Sequence, residues 1–186
     1  MSRRKSLKAT AIATFLMMFS SVAYAQWFTV AKGSDVFGNA PVVTAVRNNN
    51  GNGLTVQCAG DDPIQLAYVM PASQEILNGI SNLEADFLFD LLVKVDSGTV
   101  QKFDAQIVPW NSRDMGVVFT GRTPELVALI RSIGKAKHAI NVGIERDGIP
   151  GGTAAFGVIG SASAMNTLIK NCKLDQIKDN DTPDPK

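Results

Sequence analysis

The sequence predicts a mainly β fold, an antiparallel sandwich-like domain with two short helices, and leaves an α+β arrangement as the alternative. About eight short segments rich in apolar and β-branched residues follow one another, separated by turns rich in Asn, Gly and Pro. Between residues 87 and 107, two runs alternate apolar and polar residues, the pattern of a half-buried antiparallel hairpin. The pattern contains no strand–helix–strand repeats, which argues against a nucleotide-binding parallel sheet.

The first predicted strands surround an asparagine-rich turn. Residues 27–30 form a short first strand, and residues 42–47 and 54–58 form a hairpin around the sequence Asn-Asn-Asn-Gly-Asn-Gly at 48–53. Asn and Gly tolerate positive φ angles, so this sequence strongly favours a turn. We interpret it as a flexible hairpin tip rather than a ligand site. The next strand is predicted at residues 64–70.

The remaining strands are predicted from alternation and β-branched content. They cover residues 87–95, 102–107, 115–120, 139–145 and 153–159.

Two segments have clear helical signals. Thr123 can cap a helix that begins with Pro124 at its first position and carries an apolar face over residues 126–133. A last helix is predicted from a cap at Ser161 to residue 171. Residues 71–85 show helical spacing interrupted by a glycine, which leaves a short helix and an irregular crossover as alternatives.

Residues 1–25 have the three parts of a cleavable export signal: a basic start, an apolar run and a final Ala-Tyr-Ala. We expect cleavage after Ala25. The alternative, a membrane anchor, would need about 20 apolar residues, and the run at 9–19 is shorter. Arg3 and Arg4 also resemble a twin-arginine signal, although we favour the general secretory route. The expected location is the periplasm.

The mature chain is predicted to be one β-rich domain at residues 26–174 with a disordered tail at 175–186. Removing the signal takes away four basic residues and leaves fourteen Lys and Arg against seventeen Asp and Glu, a net charge of −3. This mildly acidic balance gives no electrostatic case for binding nucleic acid or an anionic membrane. No second apolar run reaches membrane length, so we expect no membrane span after cleavage.

Cys58 and Cys172 are the only cysteines. Two cysteines in an exported domain most often pair, so we predict a disulfide between them. The alternative is two separate buried thiols.

No catalytic, cofactor-binding or metal-binding set emerges from the sequence. His138 is the only histidine, and no G-x-S-x-G element presents a serine beside it. One histidine and two paired cysteines would leave too few ligands for a zinc site. The glycine pairs near the C-terminal end lie in hairpin and strand patterns rather than in a phosphate-binding loop. We therefore predict no cofactor and interpret His138 as structural.

Trp27 and Trp110 are the candidate recognition residues, although for both we favour packing in the core or at a sheet edge. Trp110 is followed by polar residues that include Arg113 and Asp114. Exposed aromatic residues beside arginine make good partner anchors. We therefore predict Trp110, Arg113 and Asp114 as a possible partner-binding group.

The order of several segments carries a family resemblance that covers nearly all of the mature chain. These segments are Trp27, Leu54-Thr55-Val56-Gln57-Cys58, Val93-Lys94-Val95-Asp96, Trp110-Asn111-Ser112-Arg113-Asp114, the helix at 126–133, Phe156-Gly157-Val158-Ile159-Gly160 and Cys172. The order resembles exported accessory proteins associated with type VI secretion and, more loosely, the invasion-associated locus B family. An expected R-x-D at the central strand is Lys94-Val95-Asp96 here, and the turn at 48–53 has no counterpart. The resemblance implies a periplasmic, non-enzymatic protein with no catalytic residues to transfer.

From these observations we expect an exported periplasmic protein that binds another envelope or secretion-system component. A first alternative is a cell-wall hydrolase or a hydrolase regulator, which a convergence of Arg113, Asp114 and His138 in a cleft would favour. A second alternative is a carrier for a small apolar ligand, which would require a large enclosed cavity.

Overall fold

The computed structural model describes residues 26–31, 41–82 and 88–177, and within them it contains nine strands and three helices. The strands are β1 (Phe28–Ala31), β2 (Pro41–Arg47), β3 (Gly53–Ala59), β4 (Ile64–Pro71), β5 (Leu88–Val95), β6 (Val100–Pro109), β7 (Asp114–Gly121), β8 (Ile140–Arg146) and β9 (Ile149–Phe156). The helices are α1 (Gln74–Ile80), α2 (Pro124–Lys135) and α3 (Ser161–Asn171), followed by a 3-10 turn at Leu174–Gln176. The predicted signal peptide lies outside the described residues.

All nine strands belong to one antiparallel sheet in the order β1-β2-β3-β4-β7-β6-β5-β8-β9. The prediction of a mainly β, antiparallel domain with short helices is therefore confirmed. Neighbours in sequence pair as hairpins, except where β4 pairs with β7 and β5 pairs with β8. Through those two pairings, strands β1–β4, β5–β7 and β8–β9 become parts of a single sheet.

The sheet curves until its two ends approach each other, which gives it a sandwich-like shape. Tyr68 of β4 and Phe156 of β9 meet edge to face with their ring centroids 6.3 Å apart. Gln26, just before β1, forms a parallel bridge to Ile159, just after β9. Trp27 reinforces this junction by donating from its backbone N–H to the Ile159 carbonyl and from Nε1 to the Gly157 carbonyl, each at 2.9 Å. Trp27 is buried, so the core alternative holds for this tryptophan.

The alternating residues of the sheet and one face each of α2 and α3 form a single core. Leu91 and Val93 of β5 are fully buried, as the alternation predicted. In α2 the buried residues are Leu126, Val127, Leu129, Ile130 and Ile133. Burial of such side chains supplies the main driving force for folding.

Helix boundaries follow the sequence signals except at α3. Thr123 accepts from the Leu126 N–H at 3.3 Å and caps α2 as predicted. The predicted cap of α3 at Ser161 is wrong, because the cap is Gly160, whose φ of 83° suits glycine, and Ser161 is the first, buried residue of the helix. Residues 74–80 form a short helix, which is one of the two structures predicted for residues 71–85.

Two boundaries differ from the predicted ones. The predicted strands at 139–145 and 153–159 leave residues 146–152 as a turn. In the structure the turn is confined to Asp147 and Gly148, whose φ angles of 52° and 78° are those of a tight two-residue hairpin turn, so β9 starts at Ile149. The predicted tail begins at 175, whereas the 3-10 turn and a hydrogen bond from Arg131 to the Ile177 carbonyl include residues up to 177 in the domain. Residues 178–186 lie outside the described residues.

Candidate functional site

The predicted partner-binding residues lie in the tight connection between β6 and β7. Asn111 Oδ1 accepts from the backbone N–H groups of Arg113 and Asp114 at 2.8 and 3.0 Å, and Asn111 Nδ2 donates to Asp114 Oδ2 at 2.8 Å. Arg47 Nη2 reaches the same carboxylate oxygen at 3.1 Å. Asp114 is buried, so it fixes the turn and ties it to β2 instead of facing a partner.

Trp110 is half-buried rather than exposed on a loop. Its ring covers Gly116 so closely that a Cβ atom at that position would lie 3.0 Å from Trp110 Cε3. Arg113 is exposed. Of the three predicted residues, Arg113 is exposed, Trp110 is half-buried and Asp114 is buried. Their possible role in binding a partner stays a prediction.

His138 lies in the connection between α2 and β8, against the turn after β5. Asp96 at that turn accepts from the backbone N–H groups of Lys137, His138 and Ala139 at 2.9, 2.8 and 3.0 Å. These hydrogen bonds hold the pKa of the Asp96 carboxyl below its usual value. Asp96 thus fixes the connection between α2 and β8, and the His138 side chain is exposed beside it.

A convergence of His138 with Asp114 would have favoured the hydrolase alternative, and the fold separates these two residues. Val100 at the start of β6 is close to the Asp96 turn, and Pro109 at its end is close to the Asp114 turn. Ten residues of strand at about 3.3 Å per residue place the two turns roughly 30 Å apart. Arg113 and Asp114 are neighbours in the turn between β6 and β7, and His138 lies at the turn after β5.

The cysteines are paired as predicted. The sulfur atoms of Cys58 and Cys172 lie at disulfide distance, with the Cα atoms 6.1 Å apart, and both residues are buried. Arg122 donates to the carbonyl of Cys172, and Lys173 forms an ion pair with Asp61 at 3.0 Å. The hydrogen bond and charge of Lys173 lower the pKa of the Asp61 carboxyl. This polar shell surrounds a buried bond, so neither sulfur is presented as a nucleophile.

A groove of about 690 Å³ lies on the outer face of the sheet. Its floor is formed by β5, β8, β9 and the first residue of β6, and the asparagine-rich turn between β2 and β3 forms one wall. We call it the outer-face groove. Its lining residues are Asn48, Asn49, Asn50, Leu92, Lys94, Val100, Asn141, Val142, Gly143, Thr153, Ala154 and Ala155. Its volume is in the range of small-molecule and short-peptide sites.

Asn48 holds the wall of the outer-face groove in place. Its Oδ1 accepts from the backbone N–H groups of Asn50 and Asn52 at 3.0 and 3.1 Å, and its Nδ2 donates to the Ala155 carbonyl at 3.5 Å. The turn is thus internally braced and attached to the edge strand β9. The sequence interpretation of this segment as a flexible tip missed that attachment, because its partner lies in a distant part of the chain.

A second hollow, of about 310 Å³, lies where the β8–β9 hairpin ends. Apolar residues that include Phe89, Ile144 and Ile149 line it together with the charged residues Glu145, Arg146 and Asp147. It opens at the surface. The carrier alternative called for a large enclosed cavity, and this small open hollow does not have that form.

Within residues 26–31, 41–82 and 88–177, no three side chains of His, Cys, Asp or Glu come together as metal ligands would. In the same residues, no helix has the length and apolar character needed to cross a membrane.

No protein-family model matches this chain, and neither a curated protein nor a solved structure matches it. The resemblance to secretion accessory proteins therefore stays a prediction.

Proposed function

We propose that the chain is an exported, non-enzymatic binding protein of the periplasm whose partner, an envelope or secretion-system protein, docks in the outer-face groove. The observation that carries the proposal is the groove itself, a concave surface with a braced wall and a floor of rigid strands. Sites built on strands hold their geometry better than sites on loops.

The chemistry of the lining supports binding rather than catalysis. General acid–base catalysis uses mainly His, Asp, Glu, Lys, Tyr or Cys placed near a reacting group. The groove is lined by asparagine amides, small and apolar residues, one threonine and Lys94. No carboxylate, histidine or cysteine is among its lining residues, so it has no partner that could activate a nucleophile.

The proposed location rests on two observations. The N-terminal residues have the pattern of an export signal, and two buried cysteines lie at disulfide distance. Disulfides persist in oxidising compartments such as the periplasm. The resemblance to exported secretion accessory proteins agrees with this location and suggests the class of partner.

The test is affinity purification of the mature protein from crosslinked envelope extracts, with a variant that fills the groove. Gly143 lies on the floor, and a side chain there would first meet Thr153 Cγ2 at 3.4 Å, so Gly143→Phe should fold and occupy the groove. Thr120→Phe, on an exposed position of β7 outside the groove, is the matched control.

We expect a specific partner that is recovered with the wild type and with Thr120→Phe and is lost with Gly143→Phe. Thermal unfolding of each variant checks that the fold is retained. Equal recovery with Gly143→Phe, or turnover of cell-wall material by the mature protein, would contradict the proposal.

A further inference from the structure

Lys94 is the one ionisable residue that lines the outer-face groove. It lies on β5, where its register partners are Val100 of β6 and Asn141 of β8. Both neighbours are uncharged and also line the groove. The residues paired with Lys94 on the two neighbouring strands therefore supply no negative charge to its ammonium group.

The acidic residues of β5, β6 and β8, which are Asp90, Asp104 and Glu145, lie around a different lysine. Asp90 pairs with Lys102 at 2.6 Å, and Glu145 and Asp104 add their charges around the same lysine. The Asp90 hydrogen bond and these charges raise the pKa of Lys102. These three acidic residues surround Lys102, and none of them forms an ion pair with Lys94.

Asp96, two residues beyond Lys94, is also committed. Its carboxylate accepts three backbone N–H groups of the α2–β8 connection. Among the residues that the structure describes, no carboxylate forms an ion pair with Lys94.

The rest of the lining favours a peptide over a sugar. Asn49, Asn50 and Asn141 are exposed, and each amide side chain carries both donors and an acceptor, which match those of peptide groups. Leu92 and Val100 add apolar floor beside Lys94. Sugar rings commonly pack on aromatic side chains, and no aromatic residue lines this groove.

We propose that the outer-face groove binds an extended peptide segment with an acidic side chain, whose carboxylate pairs with Lys94 while the asparagine amides contact its backbone. The inference rests on the proposed function and names the chemistry of the partner segment. A charge-assisted hydrogen bond at a partly desolvated site is stronger than one in open water. Lys94 thus selects the segment, and the amides hold its backbone in register.

The test uses a displayed library of random eight-residue peptides selected on the mature protein. We expect the wild type and Lys94→Arg to enrich peptides with Asp or Glu at one position. Lys94→Gln should lose that preference, and Lys94→Glu should enrich Lys or Arg there. Lys102→Gln removes the same charge from a paired lysine of the same sheet face and should keep the acidic preference.

The best synthetic peptide from the wild-type selection is then titrated directly. We expect Lys94→Gln to weaken its binding about tenfold or more, as loss of a hydrogen bond between charged groups predicts. Replacing the acidic residue of the peptide by its amide should weaken binding to the wild type equally, and should change little on Lys94→Gln.

Three results would overturn the inference: no enrichment by the wild type, an acidic preference that survives in Lys94→Gln, or an equal loss in Lys102→Gln. If Gly143→Phe loses the captured partner while Lys94→Gln keeps it, the proposed function stands and the acidic segment is wrong. If the Lys94-dependent peptide binds but no captured partner responds to Gly143→Phe, the peptide site stands and the proposed function is wrong.

Discussion

Arg122 Nη2 lies 2.6 Å from the carbonyl oxygen of Cys172, at the point where α3 ends. Nη1 of the same guanidinium donates to the carbonyls of Gly60 and Asp62 at 3.3 and 3.2 Å, in the turn after β3. Arg122 therefore joins by hydrogen bonds the same two regions that Cys58 and Cys172 join by their sulfur atoms. The geometry suits arginine, whose planar group carries several donors in fixed directions.

Replacing Arg122 by Met should lower the free energy of unfolding by about 1.5–3 kcal/mol, the range for losing hydrogen bonds to a charged donor. The side chain is largely buried, with 23% of its surface exposed, so water replaces these bonds poorly. Urea unfolding at fixed pH measures the change. Arg122→Lys is the matched control, since it keeps the charge but cannot reach all three carbonyls, and we expect an intermediate loss. Equal stability of the wild type and Arg122→Met would contradict this role.

The double variant Cys58→Ser with Cys172→Ser should lose about 2–5 kcal/mol of stability. The bridge closes a loop with a sequence separation of 114 residues, and such a cross-link removes much of the freedom of the unfolded chain. Urea unfolding of the wild type with and without reductant gives an independent measurement of the same effect. Reductant should not change the double variant, and alkylation without prior reduction should label no thiol in the wild type. Two labelled thiols would contradict the pairing.

Asp96→Asn should destabilise the domain near neutral pH and much less in acid. The native pKa of Asp96 is lowered by its three backbone hydrogen bonds, so the folded state binds this proton more weakly than the unfolded state does. Its contribution is fully present above the unfolded value of about 4 and is lost as the pH falls through the native pKa.

The measurement is thermal unfolding of both proteins between neutral pH and the acid limb. Asp147→Asn is the matched control, because Asp147 also has a positive φ in a hairpin turn and Asn tolerates that conformation. We expect the melting temperatures of the wild type and Asp96→Asn to converge in acid, and Asp147→Asn to follow the wild type throughout. A difference for Asp96→Asn that is constant with pH would show that the carboxylate charge is not the cause.

Trp110→Ala should lower stability by about 2 kcal/mol, part of the roughly 3–5 kcal/mol seen for fully buried aromatic residues. Its ring covers Gly116 on the outer face of β7. Arg113→Ala, at an exposed neighbour in the same turn, should change stability by less than about 0.5 kcal/mol. Urea unfolding and partner capture are measured on both variants. If Trp110→Ala keeps its stability but loses the captured partner, Trp110 is a recognition residue, as the sequence predicted.

The sequence predicted the features that depend on residues close together along the chain. The alternation that buries Leu91 and Val93 and the Thr123 cap of α2 are local patterns, and both were confirmed. The order of the strands was not predictable in this way, because the pairing of β4 with β7 joins segments about fifty residues apart. Antiparallel pairing leaves no sequence signal that names the partner strand.

The candidate site was harder to predict for the same reason. The alternation between residues 87 and 107 puts Lys94 on the polar face of its strand. One wall of the groove, however, is the turn at Asn48, whose side chain contacts Ala155, 107 residues away. The burial of Asp114 could not be predicted from its sequence neighbours, because Arg47, which binds its carboxylate, is 67 residues away. Long-range contacts decide which polar residues stay available to a partner.

Because Cys172 lies near the end of the chain, the disulfide can form only late in synthesis. Cys58 emerges early in synthesis, and its partner emerges only after every strand of the sheet and the whole of α3 have been made. A chain that ends after residue 58 but before residue 172 therefore keeps an unpaired thiol at Cys58. An intact disulfide therefore shows that synthesis has passed residue 172. A free thiol at Cys58 would identify truncated chains to any quality-control system that recognises exposed cysteines.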